Sequence, residues 1–399
     1  MTVSDRHTVI VCDWLPPAFG AVGQYMMQRA EALAAEGQTV SIVGLGDKDG
    51  AEEKVIGPGR LTIRRIGAVG TAKGGSLLKR GLWALQQALK LLSAANERIA
   101  TTPKAGTEIL VTGSPPFLSY IFIVANWIAW RRDIIYRITD FYPETVFAAG
   151  YMPWLKPVEG LFHLVRKAAT RIEALGEDQK RRLQEGGMPA DKIVVVRDGA
   201  PFAPDAPVRP LPRAVPDDKV MLLYSGNMGV AHDTDTILAA YERHVRQGSD
   251  RVRIWVNGTG ARLGPFQDAC KARGLPIVVT PPVPIEDLPS VLHSADAHLV
   301  LQKPEFWGYV LPSKIYACLP LPAPLLFIGP TQSDVDLLGR QRAAPYIQVD
   351  PGDVEACVSA LEKLADEVMK TQGPAAQIGE PAAPVKRDGG RAAKRDRVT

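Results

Sequence analysis

The sequence predicts an α/β fold built from two doubly wound halves, each a parallel sheet covered by helices. Three observations predict it. Short apolar runs alternate with helical stretches along the chain, the rhythm of repeated βαβ units. A stretch holding Pro201, Pro204, Pro207, Pro210, Pro212 and Pro216 divides that rhythm into two copies and reads as a semi-rigid, extended linker. The chain has 399 residues, more than one core usually organises. The expected units are an N-terminal domain at 1–200, the linker at 201–217, a C-terminal domain at 218–370 and a disordered basic tail at 371–399.

In the first half, Thr8–Cys12 is a strand. It enters a Pro/Gly loop from Asp13 to Gly23, and a helix follows from about Gln24 to Glu36, ending at Gly37. Thr39–Val43 closes the βαβ unit. Gly20 and Gly23 precede the helix as in a dinucleotide fold, but G-x-G-x-x-G is absent, which argues against a nicotinamide enzyme. Leu61–Ile66 is the next strand. Ser76–Ile99 is a long helix with Leu78, Leu82, Leu85, Leu89 and Leu92 in one stripe. The stripe reads first as the face packed on the sheet. Lys79, Arg80 and Lys90 at its edges also suit a helix resting on an anionic membrane surface.

Glu108–Thr112 is a strand that ends at Gly113-Ser114-Pro115-Pro116. Pro115–Trp130 is the most apolar long stretch. It contains Asn126 and falls short of the ~20 residues of a spanning helix, so it reads as a buried or interfacial helix. Asp133–Thr139 is a strand that exits into Asp140-Phe141-Tyr142-Pro143-Glu144. Doubly wound sheets bind ligands at strand carboxyl ends, so Asp140 and Glu144 are candidate site carboxylates. The plainer alternative is that Asp140 caps the next turn. Helices at 161–170 and 178–185 and a strand at 192–196 complete this half.

The second half opens on Val220–Asp235. Val220–Tyr224 is a buried-strand pattern, Gly226 and Gly229 bracket Asn227 and Met228, and Asp233 or Thr234 can cap the helix that follows. Such a unit can offer N–H groups and a positive helix end to an anion. An ordinary βα turn would carry the same glycines. Strands follow at 253–256, 277–280, 297–301, 324–328 and 346–349. Helices are expected at 263–273, 286–294, 313–319 (capped by Ser313) and 353–369.

Composition is ordinary for a globular protein, with 46% hydrophobic and 23% charged residues. A net charge of +4 is too small to argue for nucleic acid. Cys12, Cys270, Cys318 and Cys357 are scattered without a C-x-x-C, which yields neither a disulfide frame nor a zinc site and fits a reducing compartment. The chain enters its first strand without a long apolar run, so no signal peptide is expected.

Several segments together resemble one family. YSGNMGVAHDTDTILAAYE (224–242), VNGTGARLGPF (256–266), LPSVLHSADAHLVLQK (288–303), LPSKIY (311–316) and LLFIGP (325–330) are similar to the C-terminal domain of family 4 GT-B glycosyltransferases, within a bacterial polysaccharide and exopolysaccharide subgroup. WLPPAFGAVGQ (14–24), TGSPP (112–116) and ITDFYPE (138–144) fit the N-terminal domain of the same subgroup. The resemblance implies two Rossmann-like doubly wound domains facing a central cleft. It implies metal-independent transfer of a sugar from a UDP- or GDP-sugar to a glycan or lipid-linked glycan acceptor in cell-surface polysaccharide assembly. On this reading Gly226, Asn227, His232, Ser313 and Lys314 meet the donor diphosphate and Val283 the base. Gly20 and Gly23 let a loop approach the transferred sugar, and Asp140 or Glu144 meets the acceptor. A cytoplasmic site of action is implied, with no cofactor or metal beyond the donor; Ser76–Ile99, Phe117–Trp130 and the basic tail add the expectation of peripheral contact with the inner face of the membrane.

The chain departs from the family in places. Asn227 and His232 stand where many members carry Arg and Lys, and a protonated His232 would partly substitute. The Glu-x7-Glu pair of many retaining members would fall on Tyr309 and Ala317 and is missing. Pro320 and Pro322 cut short the helix that begins at Ser313. These departures keep two alternatives open: a sugar-nucleotide 2-epimerase of the same fold, and a non-catalytic GT-B subunit.

Overall fold

The computed structural model describes residues 6–18, 20–68, 77–203 and 205–372. The basic tail lies outside the described residues from 373 onward.

In the N-terminal half, β1 (His7–Trp14), α1 (Ala21–Ala35) and β2 (Thr39–Gly46) form the first βαβ unit. β3 (Gly50–Ile56) and β4 (Gly59–Gly67) make an antiparallel hairpin, and β4 runs parallel to β2. Then come α2 (Leu77–Thr101), β5 (Thr107–Thr112), α3 (Leu118–Ala125) and a wide helical turn at Asn126–Trp130. After β6 (Asp133–Arg137) follow α4 (Glu144–Ala148), a 3₁₀ turn at Pro153–Val158, α5 (Glu159–Lys167), β7 (Arg171–Ala174), α6 (Glu177–Glu185) and β8 (Ile193–Val195). The sheet order is β3-β4-β2-β1-β5-β6-β7-β8. The sequence shows β4 but not β3. GAEEKVI carries no alternating apolar face, and β3 is an edge strand paired on one side only.

In the C-terminal half the elements are β9 (Val220–Asn227), α7 (Thr234–Arg246), β10 (Val252–Thr259), α8 (Leu263–Ala272), β11 (Ile277–Thr280), α9 (Leu288–Ser294), β12 (Ala297–Leu301), α10 (Lys314–Cys318), β13 (Leu325–Ile328), α11 (Asp334–Arg340), β14 (Tyr346–Val349) and α12 (Val354–Gln372). This sheet is parallel throughout, in the order β11-β10-β9-β12-β13-β14. That is the doubly wound order, and its direction reverses between β9 and β12. The N-terminal sheet reverses between β1 and β5. Ligand crevices of such sheets lie outside the strand carboxyl ends at these reversals.

Each sheet buries its own core. In the C-terminal half, Leu222, Tyr224, Ile254 and Leu299 pack on Ile237 and Tyr241 of α7 and Leu361 and Leu364 of α12. A further cluster crosses between the halves: Ile10, Met26 and Ile42 belong to one cluster with Val300, Ile315 and Phe327. Tyr25 and Tyr316 meet edge to face across that boundary at 6.4 Å.

The leucine stripe of α2 corrects the sequence reading. Leu78, Leu82, Leu85 and Leu89 are 67%, 59%, 39% and 50% exposed. The helix instead buries Ala84, Ala88, Leu91, Ala95 and Ile99. These also recur at helical spacing, and the alanines allow close approach to the sheet, where Leu91 and Ile99 supply the larger buried area.

Candidate functional site

A cavity of about 540 Å³ lies between the two sheets, at their strand carboxyl ends. Eight residues singled out from the sequence line it: Gly20 and Asp140 from one half, and Gly226, Asn227, His232, Val283, Ser313 and Lys314 from the other. Gly23 and Glu144 are not brought to it.

The C-terminal wall is built around Lys314. Its Nζ lies 2.8 Å from the Tyr224 hydroxyl and 3.2 Å from His232 Nε2, and 4.2 Å from the centre of the Tyr224 ring. Burial lowers the lysine from 10.5 to about 7. His232 is pushed well below its ordinary value by burial and then by the charge of Lys314. The expectation of a protonated His232 is therefore corrected: the ring is neutral near pH 7, and Lys314 is the cation of this wall. Gly226 has φ +121°, a conformation open to glycine, and a side chain there would point at Lys314 Cε.

The expected cradle of N–H groups is also corrected. β9 continues through Asn227, so the turn starts later than the glycines suggest. Met228 N–H donates to Thr259 O at 2.6 Å, and Gly229 N–H to His232 Nδ1 at 2.8 Å. At the start of α7, the Asp233 carboxylate accepts from Asp235 and Thr236 N–H. These donors are already occupied. Ser313 does not cap α10 with its side chain; its backbone is already helical and it lines the cavity. The prolines after α10 leave carbonyls that Arg342 collects: Nη2 donates to Cys318 O, Leu321 O and Ala323 O at 3.2, 2.9 and 2.9 Å. The turn at Pro320–Pro324 is thus anchored.

Gly23 serves packing. A Cβ there would fall 1.8 Å from Trp14 O, so the missing side chain lets α1 lie against the end of β1. Glu144 is buried in an ion-pair cluster. Arg166 donates to both its carboxylate oxygens at 2.9 and 3.1 Å, and His163 Nε2 lies at 3.1 Å. Burial alone would raise Glu144, yet the His163 contact and the Arg166 charge hold it down at about 2. The role of Glu144 as an acceptor-facing group is corrected on this ground. Among the described residues, Glu144, Glu159 and His163 bring metal-ligand atoms together. The guanidinium on both oxygens of Glu144 makes the group an ion-pair cluster.

Sequence reading missed a second buried carboxyl on this side. Asp13, at the end of β1, is pushed up to about 7 by burial, against a hydrogen bond from Ser114, with the charge of Asp140 adding to the rise. Burial likewise raises Asp140 to about 6. Asp13 and Asp140 stand at the exits of β1 and β6, on either side of β5, and burial moves both carboxyls toward the neutral range. The signal in the sequence was positional, an Asp at the exit of each of two strands. Arg137 was missed as well. It is buried at the cavity floor and held by Glu173 at 3.0 Å and by Asp198.

The two halves are tied beside Asp140. Phe141 N–H donates to Tyr309 O at 3.2 Å, Asp140 forms an antiparallel bridge with Val310, and the Phe141 and Tyr309 rings meet at 5.8 Å. Arg182 lies 4.8 Å from the ring centres of both Trp307 and Tyr309. Tyr309 thus serves as a contact between the halves, and Ala317 is a small residue of the cavity wall. Farther out, Arg197 grips both oxygens of buried Asp334 at 2.9 and 2.7 Å, and Asp334 N–H donates to Asp178 at 3.1 Å.

No family model matches the chain. It is 24% identical over 200 residues to WcaI of Escherichia coli (strain K12), whose name gives it provisionally as a colanic acid biosynthesis glycosyl transferase; the match covers 48% of each chain. The chain thus spans about half the length of the curated relative it matches. Solved structures match far more of it. Sucrose-phosphate synthase from Thermosynechococcus elongatus superposes with TM-score 0.63 at 14% identity, over 91% of this chain and 93% of that one. The α,α-trehalose-phosphate synthase (UDP-forming) from Burkholderia xenovorans, in complex with glucose-6-phosphate, gives 0.61 at 11% identity, over 90% and 92%. The chain has the GT-B fold of these structures, with two Rossmann-like parallel sheets.

Proposed function

We propose that the protein is a glycosyltransferase that moves a sugar from a UDP- or GDP-sugar to a glycan or lipid-linked glycan acceptor in cell-surface polysaccharide assembly. The observation that carries this reading is the cavity between the two sheets, with the Lys314 amine on one wall and the Asp140 carboxyl on the other. A GT-B fold with a cleft of this polarity suits a nucleotide-sugar donor. The partial likeness to a protein named for colanic acid biosynthesis supports the polysaccharide role.

In this mechanism the donor diphosphate lies against Gly226, Ser313 and Lys314, and the base against Val283. The diphosphate raises the lysine back toward its charged form, and that charge stabilises the departing nucleoside diphosphate. Because a side-chain cation supplies this stabilisation, the transfer needs no divalent ion. The acceptor hydroxyl sits at Asp140, which positions it and takes its proton if the anomeric configuration inverts. Burial holds Asp140 in the pH range where a carboxyl can exchange protons near neutrality.

A buried carboxyl in the cleft also suits a sugar-nucleotide 2-epimerase, which would use the same cleft without an acceptor. Incubation of the protein with UDP- and GDP-sugars, with and without lipid-linked or oligosaccharide acceptor, separates the two. Acceptor-dependent release of nucleoside diphosphate and a lengthened glycan are expected. Epimerised or hydrolysed donor without need of acceptor would overturn the transferase reading. Donor binding with no turnover at all would point to a non-catalytic subunit.

A further inference from the structure

We infer that the outer face of the N-terminal half, formed by α2, α3 with its continuing turn, residues 151–158 and α5, docks on an anionic lipid bilayer. Twelve of the nineteen large apolar side chains exposed among the described residues fall between Leu78 and Leu164. They are not scattered. α2 packs beside α3 and α3 beside α5, and all three rest on the same core under the N-terminal sheet. Their outward sides therefore form one surface. On it stand Leu82 and Leu89 of α2, Trp127 and Ile128 after α3, Trp154, and Leu164 of α5. Trp127 and Trp154 are 71% and 72% exposed. A contiguous apolar face of this kind marks an interaction surface.

Charge and residue type select the occupant. The same elements expose Lys79, Arg80, Lys90, Arg131, Lys156 and Lys167. Of their carboxylates, Glu97 pairs with Arg64 and Glu159 with His163. A protein interface of this apolarity would tend to exclude cations from its centre, whereas exposed Trp and Leu interleaved with Lys and Arg fit headgroups above and acyl chains below. No helix among the described residues is long and apolar enough to cross a membrane, so the face lies on the bilayer. Docking would also bring the bilayer to the cleft. Tyr120 of α3 donates its hydroxyl to Tyr142 O, two residues from Asp140. A lipid-linked acceptor could then reach Asp140 while its tail stays in the membrane. This last consequence rests on the glycosyltransferase reading; the docking itself does not.

The test is co-sedimentation of the full chain with vesicles of phosphatidylcholine alone or mixed with phosphatidylglycerol. Three proteins are compared: the native chain, the double variant Trp127→Glu with Trp154→Glu, and a tail variant with Lys386→Glu and Arg387→Glu. The native chain should bind only the mixed vesicles. The tail variant should still bind, and the tryptophan variant should partition at least about tenfold less well. Unchanged circular dichroism would show that the variant is folded, and its response to UDP reports on the donor site separately. Equal binding by the tryptophan variant, or loss of binding in the tail variant alone, overturns the inference. So does a native dimer in sedimentation velocity that Trp127→Glu dissociates, since a second copy would then cover the face.

Discussion

Replacing Lys314 with Met separates what this residue does for the empty protein from what it does for a ligand. In the unfolded chain the amine titrates near 10.5, and in the folded, empty cleft near 7. Each pKa unit is about 1.4 kcal/mol, so the full difference sets an upper value of about 5 kcal/mol for the cost of the charge. The side chain is only half-buried and lines an open cavity, which keeps part of its hydration. Met also forfeits the contacts with Tyr224 and His232, at about 1 kcal/mol each. A net stabilisation of about 2 kcal/mol at pH 7 is expected. The sign over pH follows from proton counts. Between pH 7 and 10.5 the unfolded chain binds more protons at this site than the folded one, so stability of the empty native protein rises with pH there. The variant lacks that rise. Nucleotide affinity should fall by about ten- to a hundredfold, the worth of a charge-assisted contact. In the native protein that affinity should decline as pH climbs above 7, with proton uptake on binding. Denaturant unfolding at pH 7 and 10, with and without UDP, measures all of this. A Lys314→Met variant that is less stable than the native protein and binds UDP equally well would refute the reasoning.

Further outcomes are expected. Asp140→Asn should lower transfer by about 10² to 10⁴ while leaving donor binding intact. The native rate should rise with pH through about 6 to 7, as the Asp140 and Asp13 carboxyls lose their protons. Gly23→Ala should cost about 3 kcal/mol in denaturant unfolding, because its Cβ would meet the Trp14 carbonyl at 1.8 Å. Arg197→Ala should cost about 2 kcal/mol, since it strips buried Asp334 of its cation beside Asp178, itself raised to about 6 by burial. Transfer assayed after exhaustive chelation and dialysis should keep its rate, because Lys314 supplies the charge that a divalent ion would otherwise supply.

Much of the fold was legible because parallel strands buried on both faces leave unmistakable apolar runs. Ile277–Thr280, Ala297–Leu301 and Tyr346–Val349 are read to the residue. The polar edge strand β3 and the acid-rich helix α11, DVDLLGR, carry no such run and were missed. The leucine stripe of α2 misled because two apolar patterns share one helix, and the smaller side chains won the core. Within the site, glycine positions, strand ends and the family resemblance together placed eight of ten residues at the cavity. Hydrogen-bond occupancy was not legible. Nothing local says that Thr259, 31 positions beyond Met228, will take its N–H, or that His232 will fold back on Gly229. Nor does the DFYPE stretch say that Glu144 will find Arg166 while Asp140 stays at the cavity.

The donor cleft is the centre of this account, and a thermal-shift screen tests it most directly. The purified protein would be heated with UDP, GDP, ADP and their sugars, alongside Lys314→Met and Gly226→Val. A ligand that binds only the folded state raises its apparent stability. The account requires that one nucleotide class raise the native midpoint and that this rise shrink or vanish in both variants. No rise with any nucleotide, or an equal rise in both variants, would contradict a donor site built on Lys314 and the Gly226 turn.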